Sequence, residues 1–469
     1  MKKNYLSVPS LVNLKESKNF RKLFSLLVLA PSMAFITSCE TTEEQVTPVA
    51  GASQSADAST SGMLGINVLL NTPITDAILN QLKAYGTIGE VVPEINALTM
   101  KVTSEKLAII QKLSFVSTAN PDAVRNGSPV DAVAASDFTS GRSTWNLDAV
   151  NVTDLNVGRT IAQDGTSVYV GVLDTGLADD WRQYFPQERI ATQYAKSFGG
   201  GAGFNGSVSE QPNKWEHDQN SHGTHVTSTI IGFQYGSTLF NGVAPKATII
   251  PVKVLNQNGS GQSSVVSKGI IYMAELKKGP LKNSPVVINM SLGGSGLDAM
   301  EKAAIDYAIE QGVIIVASAG NSGLAGMGYP GAYAPVISVA SAGLKAQGTI
   351  ANWWYSLNVP DPTNVSDFFI SDFSSRAKGG QDLDVTAPGS NIVGPYQVNS
   401  GQFGYYYLSG TSMASPHVAG IVALMAQKNT ALTADQAEKA LEAAAIPMAT
   451  PVEAGKGFIT ADAALNSTM

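Results

Sequence analysis

The fold is decided by an almost uninterrupted apolar stretch that ends in an acid, Val168-Tyr169-Val170-Gly171-Val172-Leu173-Asp174-Thr175-Gly176. Consecutive apolar residues are typical of a parallel strand that is buried on both faces of its sheet. Two further stretches have the same character, Val286 to Met290 and Val313 to Val316. The sequence therefore predicts an α/β domain with a central, mostly parallel sheet. Ligands bind at the carboxyl ends of strands in such sheets, although an aspartate there can also simply cap a turn.

A second polar motif, Asn220-Ser221-His222-Gly223-Thr224-His225-Val226, follows Asp174 after a long loop. Ser221 is suited to cap a helix, which would place His222 in its first turn. Two histidines three residues apart also suggest a metal pair. However, the glutamate of an H-E-x-x-H site and a third ligand are missing. We therefore predict that His222 acts as a base and that His225 is a packed structural residue.

A third motif, Gly410-Thr411-Ser412-Met413-Ala414-Ser415-Pro416-His417-Val418-Ala419-Gly420, opens a further helix. Its apolar positions recur with helical spacing, at Val418, Ile421, Val422 and Met425. Ser412 then lies at the helix N-terminus, where free N–H groups and positive partial charge can stabilise an oxyanion. Inside such an apolar helix, His417 is predicted to be a packing residue.

The three motifs occur in the order Asp, His, Ser, which is one of the convergent arrangements of the serine nucleophile triad. The residues around Asp174, His222 and Ser412 closely resemble the motifs of the subtilisin-like serine proteases, the subtilases. The resemblance covers residues 142–469 and implies a three-layer peptidase domain. It also implies that Ser412 attacks the peptide carbonyl, that His222 moves the proton and that Asp174 orients the imidazole.

The resemblance further implies the residues that bind the substrate. Asn321, in Ala319-Gly320-Asn321, matches the asparagine that completes the oxyanion hole together with Ser412, although a turn-forming asparagine is the plain alternative. Two segments match those that pair with the backbone of the substrate peptide in this family. The first is Gly259-Ser260-Gly261 and the second is Ser291-Leu292-Gly293. Gly328 matches the residue at the floor of the first specificity pocket. A glycine at the pocket floor predicts a mild preference for large apolar side chains.

No cofactor is implied for catalysis. Many subtilases bind structural calcium in a loop after the histidine helix, but the matching segment, residues 232–237, carries no convincing ligand set. Calcium is therefore left unassigned, as is the role of an aromatic insertion at residues 352–370.

Residues 63–126 form a separate small region in which strand and helix patterns alternate as βαββαβ. This order predicts a ferredoxin-like α+β unit, which taken alone could be a binding domain, a dimerisation domain or a pro-segment. Beside a subtilase domain it resembles the inhibitory propeptide of the family. Residues 127–141 belong to a loose stretch rich in small and polar residues, and we predict that self-processing takes place there.

The first 38 residues carry six basic side chains and one acidic side chain, followed by an apolar run from Leu23 to Ile36. This pattern indicates a secretory signal. The run ends at Ile36-Thr37-Ser38-Cys39, which resembles the lipobox of bacterial lipoproteins, so Cys39 is the predicted lipidation site. An ordinary cleaved signal is the alternative. Residues 39–62 are polar and predict a flexible tether, and the acids after Cys39 resemble signals that sort some lipoproteins to the cell surface.

The composition agrees with an exported hydrolase. The chain has 469 residues, 44% hydrophobic and 14% charged, a net charge of −7 and one cysteine. The acidic balance argues against nucleic-acid binding, and one cysteine excludes a disulfide scaffold. An α/β-hydrolase would need a G-x-S-x-G motif, which is absent. We expect a monomeric serine endopeptidase, attached by lipid to the bacterial outer membrane or cell surface, with polypeptide substrates and its own propeptide as inhibitor. The alternative is a catalytically silent binding protein of the same fold.

Overall fold

A computed structural model gives the structure of the protein over residues 62–468, apart from residues 128–130, 135–142, 156–157, 202, 204–206, 237, 363 and 398–402. The predicted signal peptide, Cys39 and the tether up to residue 61 lie outside the described residues. Within the described ranges, no helix combines the length and the apolar character that crossing a membrane requires.

The small N-terminal domain is a four-stranded antiparallel sheet in the order β2-β3-β1-β4, with two helices packed on it. Its elements follow the predicted βαββαβ order: β1 Met63–Leu70, α1 Asp76–Leu82, β2 Gly86–Val92, β3 Ala97–Thr103, α2 Ser104–Ile110 and β4 Val116–Pro121. Helix α1 begins at Asp76, because the Thr75 hydroxyl accepts a hydrogen bond from the Ile78 amide and so caps the helix there.

The connection between the two domains is partly ordered, although the sequence predicts a loose stretch from Asn126 to Ser140. It contains the short strands β5, Val124–Asn126, and β6, Asp131–Ala134. β5 pairs with β15, Ser260–Gln262, and β6 pairs with β22, Phe403–Ser409, both antiparallel. The prediction was wrong for Asn126 and for residues 131–134, because both segments complete the hydrogen bonding of a strand in the large domain, which composition alone does not reveal.

The large domain is built on a nine-stranded sheet in the order β11-β10-β14-β9-β16-β17-β18-β19, with β20 also paired to β18. All neighbours are parallel except β10 with β11 and β18 with β19. The members are β9 Tyr169–Asp174, β10 Lys196–Gly200, β11 Val208–Glu210, β14 Thr248–Lys253, β16 Val286–Met290, β17 Val313–Ser318, β18 Ile337–Leu344, β19 Phe368–Ile370 and β20 Val385–Pro388.

Helices cover both faces of this sheet, which confirms the predicted three-layer α/β architecture. One apolar core contains the helices α4, His222–Ile231, and α8, Thr411–Lys428. The other contains α5, Ser263–Lys278, and α6, Ala299–Glu310, together with two residues of the small domain, Val92 and Ala97. The small domain is thus packed on the large one through α5 and α6.

The remaining elements frame this core. They are α3 Trp145–Ala149, β7 Thr153–Asp154, β8 Gly158–Arg159, β12 Phe233–Tyr235, β13 Thr238–Phe240, α7 Trp353–Ser356, β21 Ile392–Gln397, α9 Ala434–Ala444, α10 Pro451–Ala454 and α11 Ala461–Ser467. The aromatic insertion is a packing element: Trp353 stacks on Tyr407 with ring centroids 5.7 Å apart, and Trp354 is fully buried against Phe240.

Candidate active site

The site begins with a buried acid–histidine pair at the carboxyl end of β9. Asp174 is the last residue of β9 and His222 is the first residue of α4. The imidazole Nδ1 donates to the Asp174 carboxylate, at 2.8 Å from Oδ1 and 2.9 Å from Oδ2, and neither side chain is exposed. Because a carboxylate only accepts, the proton lies on Nδ1 and leaves Nε2 as a free acceptor. Nε2 is buried and has no hydrogen-bond partner among the residues that the structure describes.

Residues beside the pair hold its two segments together. The Thr175 hydroxyl donates to Asp218 at 2.6 Å and accepts from the Gly223 amide at 2.9 Å, so it joins the end of β9 to the start of α4. Burial raises the pKa of Asp218 to about 6, which the nearby Lys253 ammonium opposes. Lys253 also donates to the Thr175 carbonyl. Neither Asp218 nor Lys253 was predicted from the sequence.

The start of α4 is capped differently from the sequence prediction. Ser221 has a left-handed backbone, with φ of 68°, and its hydroxyl makes no capping bond. Instead, the Asn220 side chain accepts from the His222 amide at 3.2 Å, and Asp218 accepts from the amides of Asn220 and Ser221. An Asx turn therefore sets the position of His222.

Ser412 is the second residue of α8 and is almost fully buried. Its hydroxyl donates to the Ser291 carbonyl at 3.1 Å, while the Ser291 hydroxyl donates to the Ser412 carbonyl at 2.7 Å. The Ser291 carbonyl and the His222 ring both surround Gly127, at 2.9 and 3.4 Å from where a Cβ atom on that glycine would lie. The serine, the histidine and the chain at Gly127 thus meet in one cleft.

Asn321 lies next to Ser412 with its amide group oriented by Thr411. The Thr411 amide and hydroxyl both donate to Asn321 Oδ1, at 2.8 and 2.9 Å. Because the oxygen is occupied by these two donors, the NH₂ end is the free end of the amide. Asn321 and Ser412 line the same cavity, so a side-chain N–H and the N-terminus of α8 can act on one oxyanion.

The two predicted peptide-binding segments border an extended piece of the chain itself. On one side, β5 pairs with β15, and the Gly127 amide donates to the Gly259 carbonyl at 2.9 Å. On the other side, Asn126 and Gly293 exchange two backbone hydrogen bonds of 3.0 and 2.9 Å. We call residues 124–127 the cleft strand. The structure brings together Gly259, Ser260, Gly261, Ser291, Leu292 and Gly293 around it.

A cavity of about 440 Å³ opens beside the cleft strand. Gly328 lies on its wall, together with Ser318, Gly320, Asn321 and Met327. A Cβ atom on Gly328 would approach the Gly294 amide to 3.4 Å, so a larger residue there would narrow the cavity. This space is suited to one side chain of a bound peptide.

The other histidines have plainly different surroundings. His225 Nε2 donates to the Ile392 carbonyl, and burial lowers its pKa to about 3. His417 donates from Nδ1 to the Met413 carbonyl and accepts from Asn146, and burial lowers its pKa to about 4. Both are neutral packing residues. His217 is exposed and pairs with Asp179.

Three carboxylates outside the cleft could hold a cation: Asp382, Asp384 and Glu438, whose oxygens lie within 4.8 Å of one another. Asp384 is buried, with Oδ2 accepting from Ser338 and Oδ1 lacking a partner. Burial raises the pKa of Asp384 and of Glu438 to about 7. A hard cation such as Ca²⁺ prefers oxygen ligands of this kind. This cluster lies away from residues 232–237, where the sequence directed attention.

Arg125 and Glu301 form a buried ion pair that sequence reasoning missed. Arg125 belongs to the cleft strand and Glu301 to the first turn of α6, and neither side chain is exposed. They lie 176 residues apart in the chain. No local motif connects them, so only the docked strand reveals the pair.

Comparison with known sequences agrees with this geometry. The profile described as the Subtilase family matches residues 165–466. Subtilisin DY from Bacillus licheniformis is 34% identical over 304 residues, which is 64% of this chain and 91% of that protein. A thermostable alkaline protease from Halalkalibacterium halodurans is 33% identical over 297 residues, 63% of this chain and 67% of that protein.

Solved structures have the same fold. Fervidolysin from Fervidobacterium pennivorans, described as a keratinolytic enzyme related to subtilisin, superposes with a TM-score of 0.61 at 24% identity, over 86% of this chain and 61% of its own. A protease described as the S41 psychrophilic protease gives a TM-score of 0.53 at 27% identity, over 69% of this chain and 99% of its own. The family profile and the subtilisin relatives together show that this chain is a member of the subtilase family of serine endopeptidases.

Proposed function

We propose that the protein hydrolyses peptide bonds with Ser412 as nucleophile, His222 as general base and then acid, and Asp174 as the group that orients the imidazole. The observation that carries the proposal is the Asp174–His222 pair, whose buried Nε2 has no partner beside the cleft. In the reaction, the Ser412 hydroxyl gives up its bond to the Ser291 carbonyl and passes its proton to His222, whose tautomer is the one that a general base requires. The imidazolium that forms is stabilised by Asp174.

The developing oxyanion is stabilised by the Asn321 NH₂ group and the Ser412 amide. Thr411 supports this role because it occupies the Asn321 oxygen. Such preorganised donors act without reorganisation, and losing one lowers turnover by about 10² to 10³ in related chemistry. No cofactor takes part in these steps. Asp382, Asp384 and Glu438 would supply a structural calcium site rather than a catalytic one.

The substrate lies extended between Gly259–Gly261 and Ser291–Gly293, in the place that the cleft strand occupies. Backbone pairing of this kind is sequence-independent, so selectivity comes from the side-chain pockets. The cavity at Gly328 takes a large apolar side chain from the substrate. The substrates are therefore polypeptides.

The small domain at residues 63–121 and the cleft strand act as an inhibitory propeptide in a zymogen. Its support is the cleft strand itself, which occupies both peptide-binding segments. Self-cleavage in residues 127–141 separates the domains, and the released segment first remains bound as a product-like inhibitor. The mature enzyme is a monomer.

The protein is exported and held at the membrane by a lipid on Cys39, facing the periplasm or the exterior. The support is the basic and apolar sequence that ends at Ile36-Thr37-Ser38-Cys39. The change Cys39→Ala should move the protein from the membrane fraction to the soluble fraction. Unchanged membrane association of this variant would argue against the anchor.

A serine-directed fluorophosphonate tests the catalytic proposal directly. The mature protein should be labelled at Ser412, the Ser412→Ala variant should not, and heat-denatured wild type serves as the control for non-specific reaction. N-terminal sequencing of both proteins tests self-processing, which Ser412→Ala should abolish. A folded, mature protein that never labels would favour the silent binding protein, and identical processing in both would contradict self-cleavage.

A further inference from the structure

The side chain of Arg125 occupies a buried position in the cleft, next to acidic residues of the large domain. Arg125 lies on β5 and pairs by its backbone with Gly261 of β15, two residues before Gly127. Its side chain enters the large domain and is fully buried. Gly294 lies beside it, since a Cβ atom on that glycine would be 3.3 Å from Arg125 Nη1. An extended peptide in the same register would place one side chain at this point.

Glu301 binds the guanidinium through both carboxylate oxygens. Arg125 Nε donates to Oε1 at 2.9 Å and to Oε2 at 3.2 Å, and Nη2 donates to Oε2 at 2.6 Å. The remaining nitrogen, Nη1, donates to the Val124 carbonyl at 3.1 Å. This forked arrangement matches the planar guanidinium, whereas a lysine ammonium could not bind both oxygens in the same way.

The charge around the pair favours a cation. Burial is the largest influence and lowers the pKa of the Arg125 guanidinium, but the charge and hydrogen bonds of Glu301, together with the charge of Asp298, leave the pKa raised. Asp298 lies at the N-cap of α6 and adds a second acid near the pair. Glu301 and Asp298 both belong to the large domain, so they stay in place when the cleft strand leaves. The Glu301 carboxylate would then border the cleft without its partner, at a point that is fully buried when the cleft strand is bound.

The cleft strand uses the same two backbone segments that a substrate would use. Its register therefore maps substrate positions onto the enzyme. Gly127 lies between the Ser291 carbonyl and the His222 ring. We therefore count the cleaved bond as the one that follows the next residue in the sequence. In this count Arg125 is the fourth residue before the cleaved bond.

We propose that Glu301 determines substrate specificity by selecting arginine at the fourth residue before the cleaved bond. This inference rests on the proposed function, because it assigns a selectivity to the same cleft. Substrates with a neutral side chain at that position leave the Glu301 carboxylate without a partner. Leaving a buried charged group unpaired disfavours binding, and the transition state of such substrates is less stable for the same reason.

A peptide series on the wild-type mature enzyme tests the proposal without any variant. Internally quenched peptides would share one sequence and differ only at the fourth residue before the cleaved bond, which carries arginine, citrulline, lysine, leucine or alanine. Mass spectrometry identifies the bond that is cut. We expect kcat/KM for arginine to exceed that for citrulline, which is isosteric and neutral, by about 10- to 100-fold. Ratios within twofold for arginine, citrulline and leucine would overturn the proposal.

The two levels of failure are distinguishable. If no peptide in the series is cut and the fluorophosphonate does not label Ser412, the proposed function fails. If the peptides are cut at equal rates and Ser412 is labelled, only the arginine selectivity fails.

A matched pair of variants assigns the selectivity to one side chain. Glu301→Gln should bring the arginine-to-citrulline ratio close to one, because the neutral amide no longer discriminates between the two. Glu310→Gln changes an exposed glutamate at the other end of α6 and should keep the full ratio. A Glu301→Gln enzyme that retains the wild-type ratio would contradict the assignment. If this variant does not mature, the wild-type series still decides the proposal.

Discussion

Two fully buried acid–base pairs border the cleft strand, and they differ in whether any of their polar atoms lacks a partner. In the Asp174–His222 pair, the imidazole Nε2 is left without a hydrogen bond. In the Arg125–Glu301 pair, every guanidinium nitrogen donates and both carboxylate oxygens accept. The first pair joins two segments within the large domain, whereas the second joins the cleft strand to α6.

This difference distinguishes a pair suited to proton transfer, Asp174–His222, from a pair that holds the cleft strand in place, Arg125–Glu301. A buried polar atom without a partner costs free energy, so its presence needs a physical reason. Proton transfer from the neighbouring serine is such a reason for the free nitrogen of His222, whereas the fully bonded Arg125–Glu301 pair holds the cleft strand in place. Three changes test this distinction, from the largest expected effect to the smallest.

Removing the reactive side chain should have the largest effect. His222→Ala should lower kcat/KM for any cleaved peptide by about 10⁴-fold or more, because no other group can take the Ser412 proton. Because this variant should not process itself, its propeptide is removed with a protease of another class, and peptide hydrolysis after that protease is inactivated provides the measurement. His217→Ala is the control, since that histidine is exposed and pairs only with Asp179, and it should retain normal rates. A loss of similar size in both variants would contradict the assignment of the base.

Removing one partner of the Arg125–Glu301 pair should lower the stability of the docked cleft strand rather than the rate of peptide hydrolysis. Arg125→Ala, made in the uncut Ser412→Ala protein, leaves the buried Glu301 carboxylate uncompensated and should cost about 3–5 kcal/mol in the docking of the cleft strand. Hydrogen exchange of the amides of residues 124–127 reports this docking. Lys302→Ala, which breaks an exposed pair with Asp306, should cost about 1 kcal/mol or less. Equal protection in both variants would remove the distinction between the two kinds of pair.

The smallest expected effect is a pH dependence of the docking of the cleft strand, which we attribute to Asp122. Burial raises the pKa of this carboxyl, and so does the charge of Asp298. The Ser263 hydroxyl lies 3.0 Å from an Asp122 oxygen and 2.6 Å from an Asp298 oxygen and can donate its one proton to either acid, whereas the Asn67 NH₂ group donates to both. Ser264 and the Gly203 amide face Asp122 as well, and the Arg125–Glu301 pair lies next to Asp298.

The sign follows from the raised pKa. Docking takes up a proton, so the Asp122 contribution is fully present below the ordinary aspartate pKa and is lost as the pH rises through the raised value. In the uncut Ser412→Ala protein, protection of residues 124–127 should fall with rising pH by up to about 1.4 kcal/mol per pH unit in that window. Asp122→Asn should flatten this slope and Asp306→Asn, an exposed acid on α6, should keep it. An unchanged slope in Asp122→Asn would refute the assignment.

The catalytic candidates could be predicted from the sequence because each lies in a local pattern. Asp174 follows a buried strand, and His222 and Ser412 each start a helix, so strand and helix signals placed them at the same edge of the sheet. The cap of α4 was not predictable from composition. Its backbone at Ser221 is left-handed, and the capping bonds come from Asn220 and Asp218 instead.

Long-range contacts account for the rest of what was missed. Arg125 and Glu301 are single charged residues in unremarkable surroundings, and only the docking of β5 on β15 brings them together. In the same way, β6 has a short sequence with no strand signal of its own. It becomes a strand because β22 offers it an edge, and no local sequence pattern records that pairing.

The pairing of β5 and β6 has a consequence for the timing of activation. The chain is held on both sides of residues 128–130, by β15 before them and by β22 after them. A single cut between these two strands would leave both products paired with the large domain, so the cut alone would not open the cleft. Latency would then persist after the first cut, and the slow step toward an open enzyme would be the unpairing of a strand rather than the hydrolysis itself.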